Sequence, residues 1–192
     1  MLNIVLFGPP GAGKGTQSAK LIEKYSLTHI STGDLFRKHL SEGTELGQLA
    51  KKYMDEGNLV PDQVVIDMVD DKIKDSGDIK GIIFDGFPRT VAQAEALDML
   101  LNGKGTPVTG MIALEVNEEE LKNRILERGK TSGRADDQDI NKVENRIKVY
   151  KNETLPVAEY YKGQDKFASI NGVGTIDSIF DSICSEINQL NN

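Results

Sequence analysis

Gly8-Pro9-Pro10-Gly11-Ala12-Gly13-Lys14-Gly15-Thr16 follows the apolar run Leu2 to Phe7 and opens a helix-compatible segment. This is the strand–loop–helix setting that a phosphate-binding loop requires. Glycines let successive backbone N–H groups turn inward around a phosphate, Lys14 supplies a point charge, and the start of the next helix adds its partial positive charge. The loop therefore predicts a nucleoside triphosphate as ligand. Most such loops place a Ser or Thr hydroxyl directly after the lysine to hold magnesium. Here Gly15 takes that place and the hydroxyl moves to Thr16, a departure that points away from the GTPase and motor classes.

Working outward, apolar runs at Asn3–Phe7, His29–Ile30, Gly81–Phe84, Met111–Val116 and Phe167–Ile170 alternate with helical stretches. That alternation predicts an α/β fold, a parallel sheet of about five strands covered on both faces. Ile176, Ile179, Phe180, Ile183, Cys184 and Ile187 recur at helical spacing, so a last helix should close the sheet with Cys184 on its buried face. Two stretches interrupt the alternation. Residues 31–60 carry helical segments punctuated by Gly43 and Gly57 without a new strand, a small helical insertion. Gly129 to Asp137 is short, polar and bracketed by glycines, a mobile flap between two helices. Pro156 should bend or break the helical region between Asp139 and Lys162.

Composition bounds the partners. With 192 residues and 38% hydrophobic content, the chain suits one domain. No apolar stretch reaches the roughly 20 residues that span a bilayer, and the N-terminus runs into a strand without a targeting signal, so a cytoplasmic protein is expected. The net charge of −7 offers no footprint for nucleic acid or an anionic membrane. Cys184 is the sole cysteine, which leaves no internal disulfide and no cysteine-based zinc site. Nothing demands more than a monomer.

Arginine usage is selective. Of 23 basic residues only six are arginine, namely Arg37, Arg89, Arg124, Arg128, Arg134 and Arg146. A guanidinium fork grips phosphate bidentately and stays charged, so a lysine-rich chain should keep arginine where that fork matters. The strand Gly81–Phe84 ends in Asp85, positioned as the acid that holds a magnesium-bound water. His29 and His39 sit in no motif and are expected to be structural or solvated.

The segments 8–17, Ser31-Thr-Gly-Asp-Leu-Phe-Arg37, Asp85-Gly-Phe-Pro-Arg-Thr90 and Ser132-Gly-Arg-Ala-Asp-Asp137 together resemble the adenylate kinase family, in order and from end to end. The resemblance implies a P-loop NTPase fold with a core of residues 1–30, 61–126 and 138–192, an AMP-binding insert at 31–60 and a lid at 127–137. Gly11, Ala12, Gly13, Lys14, Gly15 and Thr16 would cradle ATP phosphates, with Arg128 and Gly174 as further ATP contacts. Thr32, Arg37, Asn58, Leu59, Val60, Gly86, Phe87, Pro88, Arg89 and Gln93 match AMP positions. Arg134 and Arg146 match arginines that close over the transferring phosphoryl group and also touch AMP. Arg124, one helical turn before Arg128, should join the same cluster. Lys14, Arg89, Arg124, Arg128, Arg134 and Arg146 are thus the expected catalytic set.

The implied reaction is reversible transfer of the ATP γ-phosphoryl group to AMP, giving two ADP, with magnesium travelling on ATP and no structural zinc. Such transfer asks mainly for alignment and charge neutralisation, so arginines, one lysine and magnesium suffice without a nucleophilic side chain. Two alternatives stand beside it. A pyrimidine monophosphate kinase of similar fold tends to carry Ala and Asn where this chain has Thr32 and Gln93. A nucleotide-dependent switch would need one nucleotide site, whereas the phosphate loop together with Arg37 and Arg89 implies two.

Overall fold

The computed structural model describes residues 1–77 and 79–190. Five strands, β1 (Leu2–Phe7), β2 (Thr28–Ser31), β3 (Gly81–Asp85), β4 (Gly110–Glu115) and β5 (Phe167–Asn171), form one sheet in the order β2-β3-β1-β4-β5. Every pairing is parallel. From central β1 the chain winds to one side through β2 and β3, then crosses to the other through β4 and β5. All five strands end on one edge, and the crevice at the reversal of winding is where open α/β sheets bind ligands.

Helices α1 (Lys14–Tyr25), α6 (Glu118–Ser132), α7 (Ile140–Val149) and α9 (Ile176–Leu190) cover one face. Their Leu21, Ile125, Ile147 and Ile183 pack on Ile4, Leu6, Ile83 and Ile112. The opposite face packs Val5, Phe7, Phe84 and Met111 against α4 (Asp62–Asp75), α5 (Val91–Asn102) and α8 (Pro156–Lys162). Alternate residues of β1 thus serve different cores, which is why Ile4 to Phe7 are continuously apolar rather than alternating. Cys184 lies buried on the sheet-facing side of α9, as its spacing predicts.

The predicted insertion is a pair of helices, α2 (Thr32–Ser41) and α3 (Glu45–Met54). Ser31 caps α2 by accepting from the Asp34 amide at 3.3 Å, and Thr44 caps α3 through Gly47.

The polar flap starts later than its composition suggests. Gly129 to Ser132 form the last turn of α6, which ends at Gly133 in the left-handed region. Gly129 serves close approach there: a Cβ on it would lie 2.6 Å from the Asp137 carbonyl oxygen. The helix break near Pro156 also differs in kind. Tyr150–Thr154 form a π-helical turn in which the Leu155 amide donates to the Tyr150 carbonyl at 2.8 Å, and Pro156 starts α8 at a position where no N–H is needed.

Candidate active site

The end of β1 hands the chain directly to the phosphate loop. Gly11 and Gly13 adopt φ of 84° and 95°, a conformation that costs a Cβ-bearing residue and lets the backbone curl back on itself. Gly13 precedes α1 without a side-chain cap, so no competing oxygen of its own occupies the helix start. Lys14 Nζ donates to the Gly8 and Pro9 carbonyls at 2.8 and 3.0 Å. Burial lowers the Lys14 pKa to about 8, with Arg89, Arg146 and Arg128 pushing the same way and Asp85 opposing.

The loop forms one wall of a cleft of about 540 Å³. All six arginines line it, whereas Lys14 is its one lysine among the described residues. The selective use of arginine therefore has a spatial basis: six scattered positions converge on one cavity of a protein whose net charge is −7. Crowding shows in the electrostatics. Burial in the cleft, then Arg146, lower the Arg89 pKa to about 10, and burial with Arg37 and Arg128 lower that of Arg134. Arg89 still meets the solvent filling the cleft, so this crowding bears on ligand binding rather than on folding. Neither Arg89 nor Arg134 has an ion pair to a carboxylate among the described residues. A polyanion is the ligand that relieves such a cavity.

At the far end, α2 supplies Thr32 and Arg37, and the segment after α3 supplies Asn58, Leu59 and Val60. Gly86, Phe87, Pro88 and Arg89 follow β3 along the same wall. The Gly86 carbonyl accepts from Thr32 Oγ1 and Arg89 Nε, both at 2.8 Å, tying the start of α2 to this turn. Gln93 is almost fully buried. Its Oε1 accepts from the Arg89 amide and its Nε2 donates to Asp62 Oδ1, each at 2.8 Å. Gln93 thus braces Arg89 as well as lining the cleft.

Arg124 and Arg128 project from α6, as their spacing predicts. Arg124 donates to Glu120 at 2.7 Å and to the Gly172 carbonyl at 3.1 Å. Beside it a second cavity of about 200 Å³ is lined by Ala12, Gly13, Thr16, Gln17, Gly174 and Ile176. Arg128 grips Asp137 bidentately, Nε to Oδ2 at 2.7 Å and Nη2 to Oδ1 at 2.8 Å. Arg146 reaches the same Oδ1 at 2.6 Å and Asp136 at 2.7 Å. Burial would raise the Asp137 pKa, yet Arg128 and Arg146 outweigh it and hold the carboxyl below the usual range.

Asp136 and Asp137 carry no role in the sequence reading, although they close the quoted segment 132–137. Two adjacent acids within ten residues of Arg128, Arg134 and Arg146 are the signal that the sequence offers. Asp62, Tyr150 and Thr154 lie outside the motifs of the sequence. Tyr150 and Thr154, at the two ends of the π-helical turn, both line the cleft.

Asp85 ends β3 within the cleft. Burial opposes its ionisation, but His29, Lys14 and Arg89 hold its pKa below the ordinary value. His29, outside every motif, places Nε2 3.9 Å from Asp85 Oδ2. His39 meets Thr44 Oγ1 at 3.1 Å. No group of three or more His, Cys, Asp or Glu is arranged to hold a metal among the described residues. An ionised carboxylate without companion ligands fits magnesium, which keeps several waters and binds through nucleotide phosphates. No helix among the described residues is long and apolar enough to cross a membrane.

A phosphate loop at the reversal point of a parallel sheet, facing a second arginine-rich end of the same cleft, defines a P-loop phosphotransferase. The sequence model of the adenylate kinase family matches residues 6–166. Adenylate kinases of Flavobacterium psychrophilum, Flavobacterium johnsoniae and Bacteroides fragilis are 55%, 54% and 50% identical to this chain, each over 99% of it and 100% of the relative. The chain belongs to the adenylate kinase family.

Proposed function

We propose that this enzyme transfers the γ-phosphoryl group of ATP to AMP, reversibly, giving two ADP. The observation that carries the reading is one cleft with two anion-binding ends, Lys14 and its loop at one and Arg37 with Arg89 at the other. Gly11 to Thr16 hold the ATP phosphates, with Arg128 and Gly174 beside them. Thr32, Arg37, Asn58 to Val60, Gly86 to Arg89 and Gln93 hold AMP. Arg124, Arg128, Arg134 and Arg146 then surround the position between the two phosphate chains. Residues 31–60 serve as the AMP-binding insert and 127–137 as the lid on the remaining core.

The reaction breaks the bond between the γ-phosphorus and its bridging oxygen on ATP and forms one to an AMP phosphate oxygen. No side chain need become covalently attached, since aligned reactants and preorganised positive charge lower the barrier. Magnesium, when bound with ATP, spreads charge on the β and γ phosphates, and Asp85 would hold one of its waters. Arg128 and Arg146 are kept in place by Asp137, so their charges are oriented before substrate arrives. A lid with Arg128 and Arg134 at its margins keeps water from the γ-phosphorus. The reading makes the enzyme a monomer of the cytoplasm.

The direct test is a coupled assay with ATP and AMP, UMP, CMP or GMP in turn. Rapid ADP formation with AMP alone is expected, and ATP loss without an acceptor would support a hydrolysing switch instead. Gln93→Leu should raise the AMP KM and weaken preference for AMP over CMP, because an amide that can face a base edge is lost. The structure adds that Arg89 loses its brace, so some fall in kcat accompanies the KM change. Unaltered AMP-over-CMP preference would remove Gln93 from base recognition.

A chelator should abolish activity by stripping magnesium from ATP, and added magnesium should restore it fully. The melting temperature of the nucleotide-free protein should stay constant throughout. A drop of several degrees, or one equivalent of zinc in purified protein, would reveal a structural metal.

A further inference from the structure

Asn145, on α7, sits outside every motif in the sequence, yet both hydrogens of its amide cross to a segment nearly ninety residues away. Nδ2 donates to the Glu56 carbonyl at 2.7 Å and to Asn58 Oδ1 at 3.0 Å. The second acceptor is itself oriented, because Asn58 Nδ2 donates to Glu56 Oε2 at 3.2 Å. Between the two anchored residues lies Gly57, with φ of 76°. A Cβ there would stand 2.8 Å from Arg146 Cγ and 3.0 Å from the Lys142 carbonyl oxygen. The backbone at 56–58 therefore lies flush on α7, with the stem of Arg146 against it.

Two consequences follow from this placement. Asn58, Leu59 and Val60 continue directly from the docked turn into the cleft wall, so their position depends on where 56–58 is held. The neighbouring Arg146 is fixed from its other end by Asp136 and Asp137, the latter shared with Arg128. One turn of α7 thus faces the return of the α2–α3 pair on one side and the acid pair beside the lid on the other.

We propose that Asn145 is a positioning residue for the acceptor nucleotide: it docks the 56–58 turn on α7 and thereby sets the wall formed by Asn58 to Val60. The proposal rests on the assignment of that wall to AMP. Amide donors are what the site requires, since both facing groups are acceptors. A carboxylate of the same shape would meet two oxygens with a third and release the turn.

The test compares Asn145→Asp and Asn145→Ser with Asn145→Gln, which keeps the donor on a longer arm. AMP KM should rise about tenfold in Asn145→Asp and by a smaller factor in Asn145→Ser, with ATP KM within twofold of the parent and Asn145→Gln between parent and Asn145→Asp. Amide hydrogen exchange at Gly57 and Asn58 should quicken in the aspartate variant while α7 stays protected. Equal changes in both KM values, or unchanged AMP KM and exchange in folded Asn145→Asp and Asn145→Ser proteins, would overturn the role. The parent assay separates the two levels: failure to form ADP from ATP and AMP would reject the functional reading, whereas normal parent kinetics with silent variants would reject only Asn145.

Discussion

Lys14→Ala should lower turnover by two to four orders of magnitude while leaving the fold intact, and Lys14→Gln should do nearly as much. The ammonium faces oxygens whose charge crowds further in the transition state, and losing one such group costs roughly 3–5 kcal/mol, where each 1.36 kcal/mol is about tenfold in rate. Among the described residues, the hydrogen bonds of its side chain go to the loop carbonyls of Gly8 and Pro9 rather than to the core. Steady-state kinetics and a melting curve check both halves of the expectation. Retention of more than a tenth of the parent turnover would remove Lys14 from the reaction.

The same lysine makes binding pH-dependent. Its pKa of about 8 in the free protein means that it has lost about half its charge by pH 8 and loses the rest above it. A bound triphosphate favours the charged form and raises the pKa, so binding takes up a proton between the free and bound values. ATP affinity should therefore fall as pH rises above 8. Calorimetry at pH 8.5 in two buffers of different ionisation enthalpy should show proton uptake, which the alanine variant should lack.

Arg89→Lys should cut kcat/KM for AMP by roughly a hundredfold although formal charge is conserved. The guanidinium keeps Nε on the Gly86 carbonyl while its remaining donors face the cleft. A lysine has no second arm with which to do both. The environment adds a second loss: burial and Arg146 lower the Arg89 pKa to about 10, well below the ordinary guanidinium value. An ammonium starts lower, and the same surroundings would bring it toward the working range, as they do Lys14. Near-parent kinetics in Arg89→Lys would reduce Arg89 to a surface cation.

Much of this site lies open in the sequence because its central signals are local. A phosphate loop requires glycines, a lysine and a helix start within a few residues of a strand, and segment 8–16 carries all of them in order. The five apolar runs all become strands: the central β1, β3 and β4 are buried on both faces, which leaves a continuous apolar signal, whereas the edge strands β2 and β5 are partly exposed and carry shorter unbroken runs. Arg124 and Arg128 share a helix face because helical geometry relates them directly. The flap shows the opposite case. Gly129 looks like a helix breaker in isolation, but in the fold it is the one residue small enough to lie against the Asp137 carbonyl, so α6 continues through it to Ser132.

The amino-acid sequence by itself determined the α/β alternation, the phosphate loop and the set of arginines reserved for anions, because each depends on residue type and short-range spacing. Only the tertiary structure decided what holds those arginines and where they meet. Asp137 becomes the shared partner of Arg128 and Arg146 when α6 and α7 pack side by side around it. Gln93 becomes a brace when β3 and α4 bring Arg89 and Asp62 to its two ends. Asn145 meets Glu56 and Asn58 only after α7 comes to lie against the turn that follows α3. Hydrogen-bond partners of this kind are set by packing across distant segments, and no periodicity or local spacing encodes them.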